Sequence, residues 1–219
     1  MPIRPPSIIH EDADIVVVDK PSGVIVHPAP GHEKGSLAEA LVARYPDMAG
    51  IGSAERPGVV HRLDIETSGV MVFARTRRAY LDLRRQFESH ETVRKTYLAV
   101  VHGSPRGGSG TIDTPVGRER LPAVTHWRLL GSRGGVSLVE FKIDTGRMHQ
   151  IRIHAAALGI PIVGDGVHGS PEKDRHLRRK PRRMLLHAVE LSFLHPSDRR
   201  RVTYASPPPR EIVYPDFMV

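Results

Sequence analysis

Short runs of apolar, β-branched residues recur along the chain, separated by glycine, proline and polar residues. The run at 14–19 (DIVVVD) is followed by Lys20-Pro21-Ser22-Gly23, which is typical of a strand that enters a turn. Residues 24–26 are predicted to continue a hairpin from it. Similar runs predict further strands at 70–74, 96–101, 124–130, 136–143, 185–194 and 202–205, with a glycine-rich loop at 103–110.

Three segments carry apolar residues at helical spacing. Ser36-Leu37-Ala38-Glu39 has the spacing of a capping box, and Leu37, Leu41 and Tyr45 then fall on one face. A second helix is predicted over 79–89, and a third over 148–158, where Gly159 and Pro161 supply the stop.

About eight strands and three helices in no repeating βαβ order predict an α+β fold, with a largely antiparallel mixed sheet flanked by helices and loops. The 219 residues suffice for one sizeable core. Because no long linker interrupts the pattern, we expect a single domain over residues 1–219.

The charge of the chain indicates which kind of partner it binds. The formal net charge is +8 and the pI is about 10.2, which favours nucleic acid over a membrane surface as partner. The chain has no cysteine, so disulfides and thiolate metal sites are excluded. No apolar run approaches the ~20 residues of a membrane helix, and the N-terminus lacks the apolar core of a secretory signal. We therefore expect a cytoplasmic protein without membrane association.

One segment, 168–183, is strongly basic. It holds seven lysines and arginines against Glu172 and Asp174, with two prolines and little apolar content. Such a block serves equally as a solvated surface loop or as a flexible arm that contacts phosphates and is ordered by RNA. Both interpretations stay open at this point.

Two polar clusters contain candidate chemistry. The first, 58–69, is a loop-like insertion before the apolar strand at 70–74, and it contains Asp64. A carboxylate so placed can be a nucleophile, a general base, a metal ligand or a turn cap, and composition alone favours the turn cap.

The second cluster, 144–154, precedes and begins the third predicted helix. There His149 and Arg152 are expected to share a face while Met148 and Ile151 turn toward the core. This is either a polar helix start at the surface or a cationic wall of an active site. An arginine such as Arg152 beside a buried carboxylate would lower its pKa and keep it ionised.

Two common metal and nucleotide motifs are missing from the sequence. Among thirteen histidines none has the His-Glu-x-x-His spacing of a zinc helix, and no Walker motif occurs. We expect no metal and no cofactor.

The segment 57–69, with His61-Arg62-Leu63-Asp64 at its centre, resembles the signature loop of the RluA/RluD-type pseudouridine synthases. Further motifs of that family are matched in order over about residues 9–193. They are Asp19-Lys20-Pro21-Ser22-Gly23, Lys95-Thr96-Tyr97-Leu98-Ala99, Pro122-Ala123-Val124-Thr125, residues 145–154, residues 159–165 and Leu185-Leu186-His187-Ala188.

The resemblance implies an isomerase acting on uridines of structured RNA, ribosomal or transfer RNA. Asp64 would be the nucleophile, Tyr97 would stack on the uracil, and Arg152 would pair with Asp64. Arg62 would hold the target nucleotide outside the stack. Leu186 and Ile151 would line an apolar floor, and His61 and Arg147 would complete substrate binding. We expect a monomer without a separate N-terminal RNA-binding module.

Two positions depart from the family pattern. His168 stands where the family has tyrosine, and Ile65-Glu66 replaces the usual basic-acidic pair after the aspartate. The main alternative is a non-catalytic RNA-binding or ribosome-assembly module of the same fold. A hydrolase of nucleosides or phosphodiesters with Asp64 as base is a third interpretation.

Overall fold

A computed structural model describes residues 6–31 and 34–213. These residues divide into two compact units. The first comprises 6–31, 34–93 and 190–206, and the second comprises 94–189 and 207–213. A single catalytic domain over residues 1–219 stays a prediction.

The described residues form eleven strands. They are β1 (Ser7–Glu11), β2 (Ile15–Lys20), β3 (Gly52–Ser53), β4 (Arg56–Pro57), β5 (Ser68–Ala74), β6 (Arg94–His102), β7 (Ser109–Ile112), β8 (Thr125–Arg133), β9 (Val136–Ile143), β10 (Leu186–Leu194) and β11 (Arg201–Ala205).

They also form five α-helices and one 3-10 turn, Pro46–Gly50. The helices are α1 (Leu37–Arg44), α2 (Arg77–Ser89), α3 (Gln150–Ala157), α4 (Pro171–His176) and α5 (Arg210–Val213). No helix among the described residues is long and apolar enough to cross a bilayer.

In the first unit, β2 pairs antiparallel with both β1 and β5, in a register that places Val17 opposite Val72. Every residue of β5 is buried, as its continuous apolar run predicts. Helix α2 buries Leu83 and Phe87, and Gln86 bonds the backbone of Leu194 at the end of β10 through both its amide oxygen and its amide nitrogen. The strands predicted at 14–19 and 70–74 and the helix at 79–89 are confirmed.

Helix α1 begins where the capping box predicts. The Ser36 hydroxyl accepts from the Glu39 amide, and the Glu39 carboxylate accepts from the Ser36 amide. The hairpin predicted at 24–26 is wrong. The carbonyls of Ile25 and Val26 instead accept from the amides of Leu37 and Ala38, so this segment leads into α1 rather than pairing as a strand.

The second unit contains an antiparallel sheet in the order β6, β9, β8, β7. Strands β8 and β9 are joined by Gly134 and Gly135, both with positive φ, as a two-residue hairpin turn of type I′ requires. The predicted loop at 103–110 ends earlier, because β7 starts at Ser109. Trp127 lies directly over Gly110, where a Cβ would come within 2.9 Å of the indole.

A core cluster in the second unit gathers residues from distant parts of the chain: Val100, Val136, Val163, Leu185 and Ile212. Helix α4 was not predicted, and it forms inside the basic segment. All named strand pairs are antiparallel, which confirms an α+β fold with a mostly antiparallel sheet.

We expect Gly58→Ala to destabilise the first unit by roughly 1–3 kcal/mol. Gly58 has a φ of 68°, and a Cβ there would lie 2.5 Å from the carbonyl oxygen of Ala74. The control is Gly50→Ala, which meets no atom within 4 Å and should change the free energy of unfolding by less than about 0.5 kcal/mol. Denaturant titration of both variants checks this, and equal effects would contradict it.

Candidate active site

The loop that contains Asp64 is hydrogen-bonded at its start to strand β5. The amide of Gly58 donates to the Ile51 carbonyl, and the Gly58 carbonyl accepts from the Ala74 amide at 2.9 Å. His61 Nε2 accepts from the Val72 amide at 3.1 Å. The His61 ring also stacks on Phe87, with centroids 4.4 Å apart. The loop therefore leaves the sheet in a fixed direction, and His61 has a structural role in it, whereas its contact with substrate stays a prediction.

A tight turn follows Asp64. Its carbonyl accepts from the Thr67 amide at 3.1 Å, while the Asp64 side chain is only half-buried. Arg62, two residues earlier, is exposed. The Asp64 main chain thus forms a turn, and Asp64 as a residue is partly accessible.

Residues of the turn Pro21-Ser22-Gly23 donate hydrogen bonds to the carbonyls of the two residues that follow Asp64. The Ile65 carbonyl accepts from the Gly23 amide at 2.8 Å, and the Glu66 carbonyl accepts from the Ser22 hydroxyl at 2.7 Å. Two motifs that are 40 residues apart in sequence thus form one structural element. The departure at Ile65-Glu66 is compatible with this, because only main-chain atoms of these residues make the contacts.

Lys20 lies beneath this element and is completely buried. Its ammonium donates to the carbonyls of Pro21 at 3.0 Å, Val24 at 2.6 Å and Ile65 at 2.9 Å. A buried ammonium needs such partners, since an unpaired charge in the interior is very costly. The sequence singled out Lys20 only as part of a turn. Its function as the cation that joins this turn to the Asp64 loop depends on tertiary contacts.

In the second unit, β6 carries the motif with Tyr97. Tyr97 is 8% exposed and lies opposite Phe141 of β9. Lys95 on the same strand donates to the Thr145 carbonyl at 2.9 Å. Burial lowers the pKa of Lys95 to about 8, with Asp144 acting in the opposite direction and Arg147 adding to the decrease. The Lys95 ammonium is therefore only weakly hydrated.

Arg152 on α3 forms a buried bidentate ion pair with Asp165. Its Nε donates to Oδ2 at 2.8 Å and its Nη2 to Oδ1 at 2.7 Å, and the two residues are 4% and 1% exposed. The amides of Val167 and His168 also donate to Oδ1. Burial acts to raise the pKa of Asp165, but the bonds from Arg152 and these amides outweigh it and hold the pKa at about 2.

Asp165 is the functional residue of this unit that the sequence did not single out. It belongs to a matched family motif, Gly159–Asp165, but nothing in the local pattern indicated its partner. The pairing of Arg152 with Asp64 uses residues of different units and stays a prediction.

The approach to α3 differs from the predicted helix. The helix begins at Gln150, and His149 precedes it with a φ of 55°, so His149 and Arg152 do not share a helical face. Met148 is 70% exposed, and its predicted core position is therefore wrong. Ile151 is buried as predicted. The cause lies in Gln150, whose side chain accepts from the Arg147 amide and donates to the Val124 carbonyl, which fixes the chain before the helix starts.

Two further predicted site residues, Arg147 and Leu186, and the family departure His168 also lie in the second unit. Arg147 is half-buried and donates from Nε to the Pro122 carbonyl at 3.1 Å. Leu186 on β10 is 3% exposed. His168, which replaces the family tyrosine, places Nε2 3.0 Å from Nδ1 of His149 in an edge-to-face arrangement.

The candidate residues thus form one set in each unit. The first set comprises His61, Arg62 and Asp64, and the second comprises Tyr97, Arg147, Ile151, Arg152 and Leu186. Among the described residues, no group of three or more histidine, aspartate or glutamate side chains is arranged to hold a metal ion.

Comparison with known proteins places the chain in a class. A family model described as RNA pseudouridylate synthase matches residues 14–157. Two solved human structures are similar over most of the chain. RNA Pseudouridylate Synthase Domain Containing 4 has a TM-score of 0.77 at 26% identity, covering 94% of this chain and 90% of that one. Domain Containing 1 has a TM-score of 0.74 at 29% identity, covering 96% and 86%. The chain belongs to the RNA pseudouridylate synthase family.

Within that family, individual relatives are considerably more similar in sequence. An uncharacterized RNA pseudouridine synthase of Synechocystis sp. is 41% identical, covering 94% of this chain and 66% of the relative. The Ribosomal large subunit pseudouridine synthase D of Pseudomonas aeruginosa is 38% identical, covering 94% and 69%. This chain spans about two thirds of the length of the curated relatives that it matches.

We expect Lys20→Met to lower the free energy of unfolding by roughly 2–4 kcal/mol, because three carbonyls lose a charged donor from a completely buried side chain while the side-chain volume is kept. Lys34→Met, at an exposed lysine, is the matched control and should stay within about 0.5 kcal/mol. Chemical denaturation measures both. A Lys20 variant as stable as the control would show that the ammonium does not hold the loop.

Asp165→Asn should cost about 3–5 kcal/mol at pH 7, because it removes one partner of a buried pair. The folded-state pKa of about 2 lies below the ordinary 3.8. The stabilisation from ionising Asp165, about 2 kcal/mol, is therefore complete above about pH 4 and is lost as the pH falls toward 2.

Unfolding free energies of wild type and Asp165→Asn should accordingly converge by about 2 kcal/mol between pH 5 and pH 2. The exposed Asp113→Asn is the control and should show no convergence. A constant difference between wild type and Asp165→Asn across this range would contradict the assigned ion pair.

Proposed function

We propose that this chain isomerises specific uridines of RNA to pseudouridine, with Asp64 as the nucleophile. The observation that carries the proposal is the match to the RNA pseudouridylate synthase family over residues 14–157, which includes the loop of Asp64. The structure of this loop supports it, since bonds on both sides of Asp64 fix the main chain while the carboxylate stays partly accessible.

The proposed reaction needs few protein groups. The bond from N1 of uracil to C1′ of the ribose breaks, and a bond from C5 to C1′ forms. The proton on C5 leaves to a base, and N1 takes up a proton, so nothing is oxidised and no group is lost. Attack on the sugar, attack on the ring and assisted glycal formation all use one ionised carboxylate, which we assign to Asp64.

Access to the target atom requires that the nucleotide leave the stack, at a cost of a few kcal/mol. Tyr97 is assigned to stack on the extruded uracil, which returns about 1–3 kcal/mol. Arg62 is assigned to the vacated space and its exposure suits contact with phosphate. Both buried apolar side chains, Ile151 and Leu186, are assigned to the floor under the base.

Arg152 is assigned to Asp64 by the family resemblance. Its bonds to Asp165 engage Nε and Nη2, which fixes the guanidinium plane and sets the direction of Nη1. A buried and permanently charged group of fixed orientation suits electrostatic stabilisation of a carboxylate better than proton transfer. His61 and Arg147 are assigned to supporting contacts with the substrate.

Ribosomal RNA is the favoured substrate and transfer RNA is the second. The net charge of +8 suits either. Two relatives, from Pseudomonas aeruginosa and Zymomonas mobilis, bear the name Ribosomal large subunit pseudouridine synthase D, and they are 38% and 35% identical to this chain. Cytoplasmic location and a monomeric state belong to the same proposal.

We expect Asp64→Asn to lower the rate of pseudouridine formation by at least roughly a thousandfold while leaving the melting temperature unchanged, because the amide keeps the shape but is not a nucleophile. Release of tritium from RNA labelled at C5 of uridine measures the rate. Glu66→Gln, two residues away, is the matched control and should keep its activity. Retained activity of Asp64→Asn would reject the assigned nucleophile.

The RNA substrate is identified by mapping pseudouridines in total RNA from a deletion strain, complemented with wild type or with Asp64→Asn. We expect one or more sites to return only with wild type. Growth defects rescued equally by both, with no site lost in the deletion strain, would favour the binding module. An RNA product of altered mass would favour the hydrolase.

A further inference from the structure

The basic segment, defined here as residues 168–183, is an anchored part of the second unit. Ser170 caps α4 by accepting from the Lys173 amide, and Pro171 occupies its first turn, where no amide donor is needed. Six residues of this segment are therefore helical.

Asp174 is the first anchor of the basic segment. Its Oδ1 accepts from Nε2 of His102 at 2.7 Å and from the amide of Gly164 at 3.2 Å. His102 is only 3% exposed, so the contact lies below the surface. One of the two acidic residues of the segment is consequently directed inward.

Two more anchors lie toward its end. Leu177 packs against the core cluster of the second unit. The main chain at Arg183 passes so close over Gly164 that a Cβ at that glycine would lie 2.3 Å from the Arg183 carbonyl oxygen. Arg183 also forms an ion pair with Glu211 of α5. The segment is thus held at its middle and at its end.

The anchors leave six cationic side chains exposed: Lys173, Arg175, Arg178, Arg179, Lys180 and Arg182. Only Glu172 remains as an exposed acidic residue within the segment. The result is a fixed surface of one charge, displayed on a rigid support. Such a surface fits the regularly spaced phosphates of a nucleic acid.

The support of this surface is also the support of Arg152. Gly164 receives the anchor Asp174, and the next residue, Asp165, makes the bidentate pair with Arg152. Because adjacent residues hold both, the exposed cations and the Arg152 guanidinium have a fixed spacing within the second unit. A phosphate bound by the segment would be positioned relative to Arg152.

We propose that the basic segment is a phosphate-binding surface for an RNA stem next to the modified uridine. The inference rests on the proposed function and adds to it the part of the second unit that positions the substrate. An RNA duplex is favoured over a membrane, because the exposed cations belong to a polar segment whose one partly buried apolar residue, Leu177, is directed into the core.

The test uses the full chain with Lys173→Gln, Arg175→Gln, Lys180→Gln and Arg182→Gln combined. The matched control removes four exposed arginines elsewhere in the second unit: Arg106→Gln, Arg118→Gln, Arg120→Gln and Arg133→Gln. Fluorescence anisotropy measures the Kd of each protein for a labelled 20-base-pair RNA duplex over a series of salt concentrations, and thermal melting confirms that each is folded.

We expect the segment variant to bind at least about tenfold more weakly at low salt, and its slope of log affinity against log salt to fall by roughly two to four. The control should change both quantities far less. Equal losses in both variants, or an unchanged slope in the segment variant, would overturn the inference. So would loss of binding to phosphatidylglycerol vesicles with duplex binding intact.

A charge-preserving variant separates charge from folding. Lys173→Arg, Arg175→Lys, Lys180→Arg and Arg182→Lys together should retain the affinity and salt slope of wild type. If this variant loses as much as the glutamine variant, charge is not the cause and the inference fails.

Duplex binding and pseudouridine formation are measured separately, so that failure of one proposal can be distinguished from failure of the other. Absence of pseudouridine formation by wild type, with the predicted changes in binding, rejects the proposed function alone. Unchanged duplex binding by the glutamine variant, with activity present in wild type, rejects the phosphate-binding surface alone.

Discussion

The buried ion pair between Arg152 and Asp165 is the interaction on which the second unit depends most. It joins α3 to the chain that returns beside β6, and the amides of Val167 and His168 complete the shell of the carboxylate. A pair with good bidentate geometry and additional donors is tolerated in the interior, whereas either partner alone would be very costly. This mutual requirement fixes the orientation of the Arg152 guanidinium.

The first unit also contains a buried cation, and main-chain oxygens stabilise it. Lys20 directs a buried ammonium at three carbonyls, and one of them belongs to Ile65, the neighbour of Asp64. The cation thereby orders a loop through three main-chain carbonyls. The candidate nucleophile can remain on a partly accessible turn while the chain around it is held from below.

Cations therefore serve two purposes in this protein, and burial separates them. Lys20 and Arg152 are buried and hold the architecture of their units. Six of the seven lysines and arginines of the basic segment are exposed, on a support in which Asp174 accepts a hydrogen bond from the buried His102. A net charge of +8 alone does not distinguish these groups, because it counts buried and exposed cations equally.

Features that depend on neighbours a few residues apart could be predicted from the sequence. The capping box of α1, the buried strands β2 and β5 and the family motif around Asp64 are of this kind. Only the tertiary structure decided the partner of Arg152, the burial of Lys20, the exposure of Met148 and the loss of a strand at 24–26. Each of these depends on which distant segments meet, and local periodicity and turn chemistry contain no information about distant partners.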